Sequence, residues 1–246
     1  MFIIVGGSSR SGTSSIATFL HLHNEITMCR TMDQIRHTSM EQMCEQCRAV
    51  LRGGRDVLQL VLFKDRENQQ DIWSTYVRKK NEGLLNGHCT EHIGVRWDYA
   101  EWSNTNLRGA TRKGEAKLVF SMRNLKDLFT SLSFNGFLGK GNVEAQMREF
   151  QAKTTRSIDS MNKLKDKACP VASCNGEDLR RLMDWLGLEM NSLQKSWVDT
   201  PPVTNDTRKP GYKEHKEKIA DRIKIPVEIE KRYWALRDNA RASYCK

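Results

Sequence analysis

Ten residues, Gly6-Gly7-Ser8-Ser9-Arg10-Ser11-Gly12-Thr13-Ser14-Ser15, bring together three glycines, five serines, a threonine and an arginine. No apolar core is built from such a run, but an anion site is. Backbone N–H groups of a glycine-rich loop and of the first turn of the next helix converge on one point, and the helix dipole adds to the attraction. Gly6, Gly7 and Gly12 permit unusual backbone angles and close approach. Ser11, Thr13, Ser14 and Ser15 add hydroxyl donors, and Arg10 adds a fixed charge with forked donors. The flanks suit this chemistry. Phe2-Ile3-Ile4-Val5 reads as a short buried strand, and residues 13–23 read as a helix.

The elements behind the loop alternate. Helices are expected over 39–52, stopped at Gly53-Gly54, and over much of 56–80. His92 to Trp97 reads as a strand. Lys117 to Met122 reads as a stronger one, followed at once by a helix through Leu125, Leu128, Phe129 and Leu132. Residues 142–165 form a polar, mostly helical stretch, and Pro170-Val171-Ala172 a short strand. Asn175 caps a helix with apolar positions 179, 182, 183 and 186 that ends at Gly187. Pro201-Pro202 opens a polar loop running through Tyr212. A last helix starts near Pro226, with Ile229, Tyr233, Leu236 and Ala240 on its inner face. Strands alternating with helices imply an α/β fold, a central parallel sheet flanked by helices. With no internal repeat and no dividing linker, residues 1–246 are expected to form one domain.

Composition narrows the function classes. The chain carries 246 residues with 38% hydrophobic and 28% charged, ordinary for a globular protein. No stretch approaches about 18 consecutive apolar residues, and no basic-then-apolar leader precedes Phe2, so a cytoplasmic protein without a membrane partner is expected. The net charge of +10 suits either a solvated basic surface or an anionic partner. The charge forms no dense block, which argues against a nucleic-acid tail. Among seven cysteines only Cys44 and Cys47 stand at metal or redox spacing. They lie on a helical apolar stripe with no second pair or histidine cluster, so buried thiols and no metal site are expected.

Gly7 to Gly12 has the glycine spacing of the nucleotide P-loop, G-x-x-x-x-G-K-[ST], but Thr13 stands where that motif has its lysine. The strand at 117–122 runs into Arg123 rather than an acidic residue that would hold Mg²⁺. The loop is therefore expected to hold an anion without a divalent metal.

Val5 to Ser15 resembles the 5′-phosphosulfate loop of sulfotransferases that use 3′-phosphoadenosine 5′-phosphosulfate, a pattern near G-x-P-[RK]-S-G-T-[TS], with Ser9 in the place of the proline. Leu118 to Ser131 is similar to the same family's 3′-phosphate segment, R-[DN]-P-x-[DE]-x-x-x-S, with Leu125 replacing proline and the arginine-to-serine spacing kept. Gly94-Val95-Arg96-Trp97-Asp98-Tyr99 resembles the G-x-K-x-P-x-Y segment of carbohydrate-type and bacterial members. Residues 174–188 resemble a structural tail segment. The resemblance covers about residues 2–190 and implies a P-loop-like α/β fold and sulfuryl transfer to a carbohydrate or small-molecule acceptor.

It also implies roles. Arg10 and residues Ser11, Gly12, Thr13, Ser14 and Ser15 would bind the 5′-phosphosulfate, Arg123 and Ser131 the 3′-phosphate, and Arg96 the sulfuryl group. A general base is expected after the first helix, where Asp33 and His37 are both candidates; histidine titrates in the better range. Lys209 and Gly211, in Arg208-Lys209-Pro210-Gly211-Tyr212, match a basic segment that closes over the 3′-phosphate in many relatives. A nucleotide phosphotransferase and a non-catalytic anion-binding module are the alternative readings.

Overall fold

A computed structural model describes residues 2–23, 25–29, 92–98, 114, 116–164, 167–172, 175–199 and 209–244. The expected helices at 39–52 and 56–80, Cys44, Cys47, Asp33 and His37 lie outside these residues.

Among the described residues five strands, β1 (Phe2–Gly7), β2 (Ile26–Cys29), β3 (His92–Asp98), β4 (Ala116–Met122) and β5 (Ala168–Ala172), form one sheet in the order β2-β3-β1-β4-β5. Every pairing is parallel, with Phe2 opposite Ile93 on one side and Ala116 on the other. Central parallel strands are covered on both faces and so need continuous apolar runs rather than alternation. Accordingly Ile3, Ile4, Val5, Leu118 and Val119 are fully buried. Pro170 lacks an N–H and is tolerated because β5 is an edge strand among the described residues, pairing only with β4.

Helix α1 (Thr13–His21) follows the loop and buries Ile16, Ala17, Phe19 and Leu20. Helices α2 (Leu125–Phe134) and α3 (Val143–Asn162) follow β4. After β5 come α4 (Gly176–Leu186), α5 (Ser192–Asp199), α6 (Tyr212–Ile219) and α7 (Val227–Tyr244). Caps set the limits of α4 as expected from sequence. The Asn175 side chain accepts from Asp178 N, and Gly187 ends α4 at φ 75°. Alternation along β4 assigns the helices to faces. Lys117 Nζ donates to Trp185 O of α4 at 2.6 Å, whereas Phe120 lines one cavity with Leu128, Leu132, Phe150 and Tyr233 of α2, α3 and α7.

Three described elements differ from the sequence expectation. β2 was expected only as part of a base-bearing stretch. α5 was not expected at all. Tyr212 begins α6 instead of closing a loop. α5 finishes the end of α1: Gln194 Nε2 donates to Phe19 O at 3.0 Å and Asn191 Nδ2 to Leu22 O at 2.7 Å, satisfying carbonyls that α1 leaves open. The ring of Trp197, wholly buried, lies against Phe19. His21 Nδ1 accepts from Met28 N at 3.0 Å and ties α1 to β2.

Candidate functional site

The loop leaves β1 at the C-terminal edge of the sheet, where parallel α/β sheets hold their ligands. Three backbone angles make its shape. Gly7 has φ 146°, Gly12 has φ 107°, and Arg10, a non-glycine residue, sits at φ 68°. A left-handed arginine costs roughly 1–3 kcal/mol and persists only where its surroundings hold it. Here both groups of the peptide after Arg10 are held. Arg123 Nη1 donates to Arg10 O at 3.0 Å, and Ser11 N donates to Ser8 O at 3.0 Å. Ser121 Oγ donates to Ser11 O at 2.9 Å, fastening the crown of the loop to β4.

Gly7 is confined as well as turned. A Cβ there would lie 2.8 Å from Ser121 O and 2.9 Å from Ser11 Oγ. Beyond it Gly12 stands at the N-cap of α1, with no side chain capping the helix and no acidic residue in its first turn. The Ser11 hydroxyl oxygen is buried and makes no hydrogen bond among the described residues. A buried hydroxyl in that condition is costly unless something completes it. Together with the uncapped helix end, it fits an anionic group bound at this turn.

The 5′ and 3′ segments read from sequence come together. Asn124 caps α2, accepting from Lys126 N at 3.0 Å and Asp127 N at 3.2 Å, so the chain turns sharply and leaves Arg123 at the strand end. From the first buried turns of α2, Ser131 Oγ accepts from Arg10 Nε at 3.3 Å. Arg10, Arg123 and Ser131 thus form one cluster. Lys209 Nζ donates to Asn135 Oδ1, and Asn135 Nδ2 donates to Ser131 O at 2.7 Å. The Lys209–Gly211 segment is therefore held at the C-terminal end of α2. Gly211 adopts φ 77°, and the Phe134 ring meets those of Tyr212 and His215.

Arg96 pairs in register with Val5, near the C-terminal end of β3. Its side chain, like Asp33 and His37, is outside the described residues. Thr13, Ser14 and Ser15 form the first turn of α1. Two residues at the site escaped the sequence reading. Asn135 is signalled only by Asn135-Gly136, a helix-ending pair. Tyr233 was expected on the inner face of the last helix, but its hydroxyl contact with Arg123 N, at 3.1 Å, carries no local signal.

A buried carboxylate lies farther along the same edge: Asp178 accepts from Arg237 Nε at 2.7 Å and Ala172 N at 3.0 Å, with Arg181 Nη2 at 3.2 Å. Near it, burial pushes the Cys169 thiol up to about 12, which leaves it inert as a nucleophile.

Neither a family model nor a curated protein sequence matches this chain. Solved structures do. The sulfotransferase domain from the Synechococcus PCC 7002 olefin synthase matches with a TM-score of 0.50 at 12% identity, over 96% of this chain and 93% of that one. The sulfotransferase domain from the curacin biosynthetic pathway gives 0.49 at 12% identity, over 98% and 97%. Sulfotransferase STF9 from Mycobacterium avium gives 0.41 at 13% identity, over 91% and 76%. The parallel sheet with its flanking helices has the fold of the Synechococcus sulfotransferase domain.

Proposed function

We propose that this chain is a sulfotransferase that moves a sulfuryl group from 3′-phosphoadenosine 5′-phosphosulfate to a hydroxyl or amine of a carbohydrate or small-molecule acceptor, with residues 1–246 acting as one unit. The observation that carries the reading is the convergence of Arg10, Arg123 and Ser131, joined by bonds of 3.0 and 3.3 Å beside an uncapped helix end. When bound, the donor supplies the sulfuryl group and its adenosine bisphosphate is the leaving group.

The residues have separable tasks. The turn at Ser11 to Ser15 and Arg10 orient the 5′ end and offset charge on its bridging oxygen, a task of pre-set donors. Arg123 and Ser131 hold the 3′-phosphate by charge-assisted hydrogen bonds; Lys209 and Gly211 lie against the same helix end. In this reading Arg96, whose backbone lies near the C-terminal end of β3, offsets charge developing at sulfur, and Asp33 or His37 takes the acceptor's proton. A sulfuryl group carries less charge than a phosphoryl group, so guanidinium and N–H donors suffice where phosphoryl transfer employs magnesium.

Calorimetric titration with 3′-phosphoadenosine 5′-phosphate, ADP and Mg-ATP tests the reading. Tight binding of the 3′-phosphorylated nucleotide without Mg²⁺ is expected. A preference for Mg-ATP would replace it with a phosphotransferase. Transfer of radiolabelled sulfate to an acceptor panel separates an enzyme from a binding module.

A further inference from the structure

Helix α7 touches the site at one atom that no chemistry above has used. β4 and β5 last pair at Met122 opposite Ala172. The next N–H, that of Arg123, emerges beyond the ladder and needs a partner from elsewhere. The hydroxyl of Tyr233 accepts it at 3.1 Å, with the tyrosine only 3% exposed. One turn along the same face of α7, Arg237 Nε donates to Asp178 Oδ2 at 2.7 Å, and that oxygen also accepts from Ala172 N. Positions 233 and 237 are neighbours on a helix surface. They therefore fix the residue that follows β4 and, through Asp178, the last residue of β5. The Asp178 carboxylate is wholly buried and is also paired with Arg181, so this anchor is rigid.

We infer that Tyr233 is a positioning residue for the 3′-phosphate grip: through the Arg123 backbone it aims the Arg123 guanidinium, and the C-terminal helix thereby sets the preference for nucleotides carrying a 3′-phosphate. The inference rests on the donor reading above. The link is short. The N–H that Tyr233 holds belongs to the residue whose guanidinium reaches Arg10 O at 3.0 Å. If that backbone is free to swivel, the side chain keeps its charge but loses its bearing, and selectivity falls before charge attraction does.

Tyr233→Phe keeps the ring and removes the hydroxyl. The wild type and the variant are titrated with 3′-phosphoadenosine 5′-phosphate and with adenosine 5′-phosphate, which differ only in the 3′-phosphate. The ratio of the two affinities is expected to fall about fivefold in the variant, the size of one lost neutral hydrogen bond. Leu236→Ala, on the same helix with an 8% exposed side chain, is the control. It lowers the melting temperature and leaves the ratio unchanged. A ratio in Tyr233→Phe equal to that of the wild type overturns the inference while leaving the donor reading intact. A wild type with no preference between the two nucleotides sinks the donor reading itself. Amide exchange adds a measurement that needs no variant. The Arg123 N–H of the wild type is expected to be protected, and exchange as fast as in an unstructured peptide overturns the inference.

Discussion

Replacing Gly7 with alanine adds one methyl group at the tightest point of the loop. The new Cβ would meet Ser121 O at 2.8 Å, Ser11 Oγ at 2.9 Å and Ser121 Cβ at 3.1 Å. Carbon-to-oxygen contacts settle at about 3.3–3.6 Å, so β4 or the loop must retreat by about half an ångström. Neither yields cheaply, because Ser121 O is a strand carbonyl, Gly7 pairs in register with Ser121, and Ser121 Oγ already holds Ser11 O. The backbone at φ 146° adds its own strain for a residue with a Cβ. Strain and overpacking together cost about 2–4 kcal/mol. For a chain of this length that lowers the melting temperature by roughly 5–15 °C. Gly136→Ala isolates the backbone part, since Gly136 sits at φ 70° with nothing within 4 Å of a Cβ. Its cost is about 1 kcal/mol. Differential scanning calorimetry with and without 3′-phosphoadenosine 5′-phosphate reads both effects. Equal melting temperatures for the two variants, with nucleotide stabilisation intact in Gly7→Ala, would refute the packing argument.

Arg123→Ala removes a charged donor and should weaken 3′-phosphoadenosine 5′-phosphate binding by about 1.5–3 kcal/mol, measured by calorimetry; unchanged affinity would remove Arg123 from the grip. Asp178→Ala strands Arg181 and Arg237 without their carboxylate and should cost about 3–5 kcal/mol in denaturant unfolding; a loss under about 1 kcal/mol would count against a rigid anchor. His215 has its pKa lowered from 6.5 by burial first and by the charge of Lys218 second. The unfolded chain therefore takes up its proton more readily than the folded one. The His215 contribution is whole above the unfolded value and is lost as pH falls through 6.5 toward the folded value. Melting temperatures taken between about pH 7.5 and about pH 5.5 should fall more steeply for the wild type than for His215→Gln. Cys169, buried with its thiol pushed up to about 12, should resist alkylation until the chain unfolds, read by peptide-resolved mass spectrometry.

Much of the site's scaffold was legible because its signals are local. An apolar run, three glycines and a second apolar run mark β1, the loop and α1 within twenty residues of sequence. Asn175 and Gly187 bracket α4 in the same way. What escaped depends on distant partners. β2 is four residues long and offers no period to read. α5 looks like surface because its deeply buried Gln194 is polar, and partners distant in sequence, above all the open carbonyl of Phe19, explain why it is buried. α6 carries lysines and glutamates around two buried residues, Tyr212 and Ile219, which resembles a loop. Arg10 and Ser131 are 121 positions apart and Arg123 and Tyr233 are 110 apart, so no spacing rule joins them. Resemblance to known motifs named both arginines and the serine; it did not reach Tyr233 or Asn135.

The position of β1 carries a consequence for how the chain acquires its shape. The strand at the middle of the described sheet is made well before its two neighbours, which begin at His92 and Ala116 and follow roughly 90 and 110 positions later, a delay of many seconds at the pace of a ribosome. Until then a sticky ribbon of Phe2, Ile3, Ile4 and Val5 waits without a place to dock. The interval before the sheet closes is therefore when the chain is most exposed to aggregation.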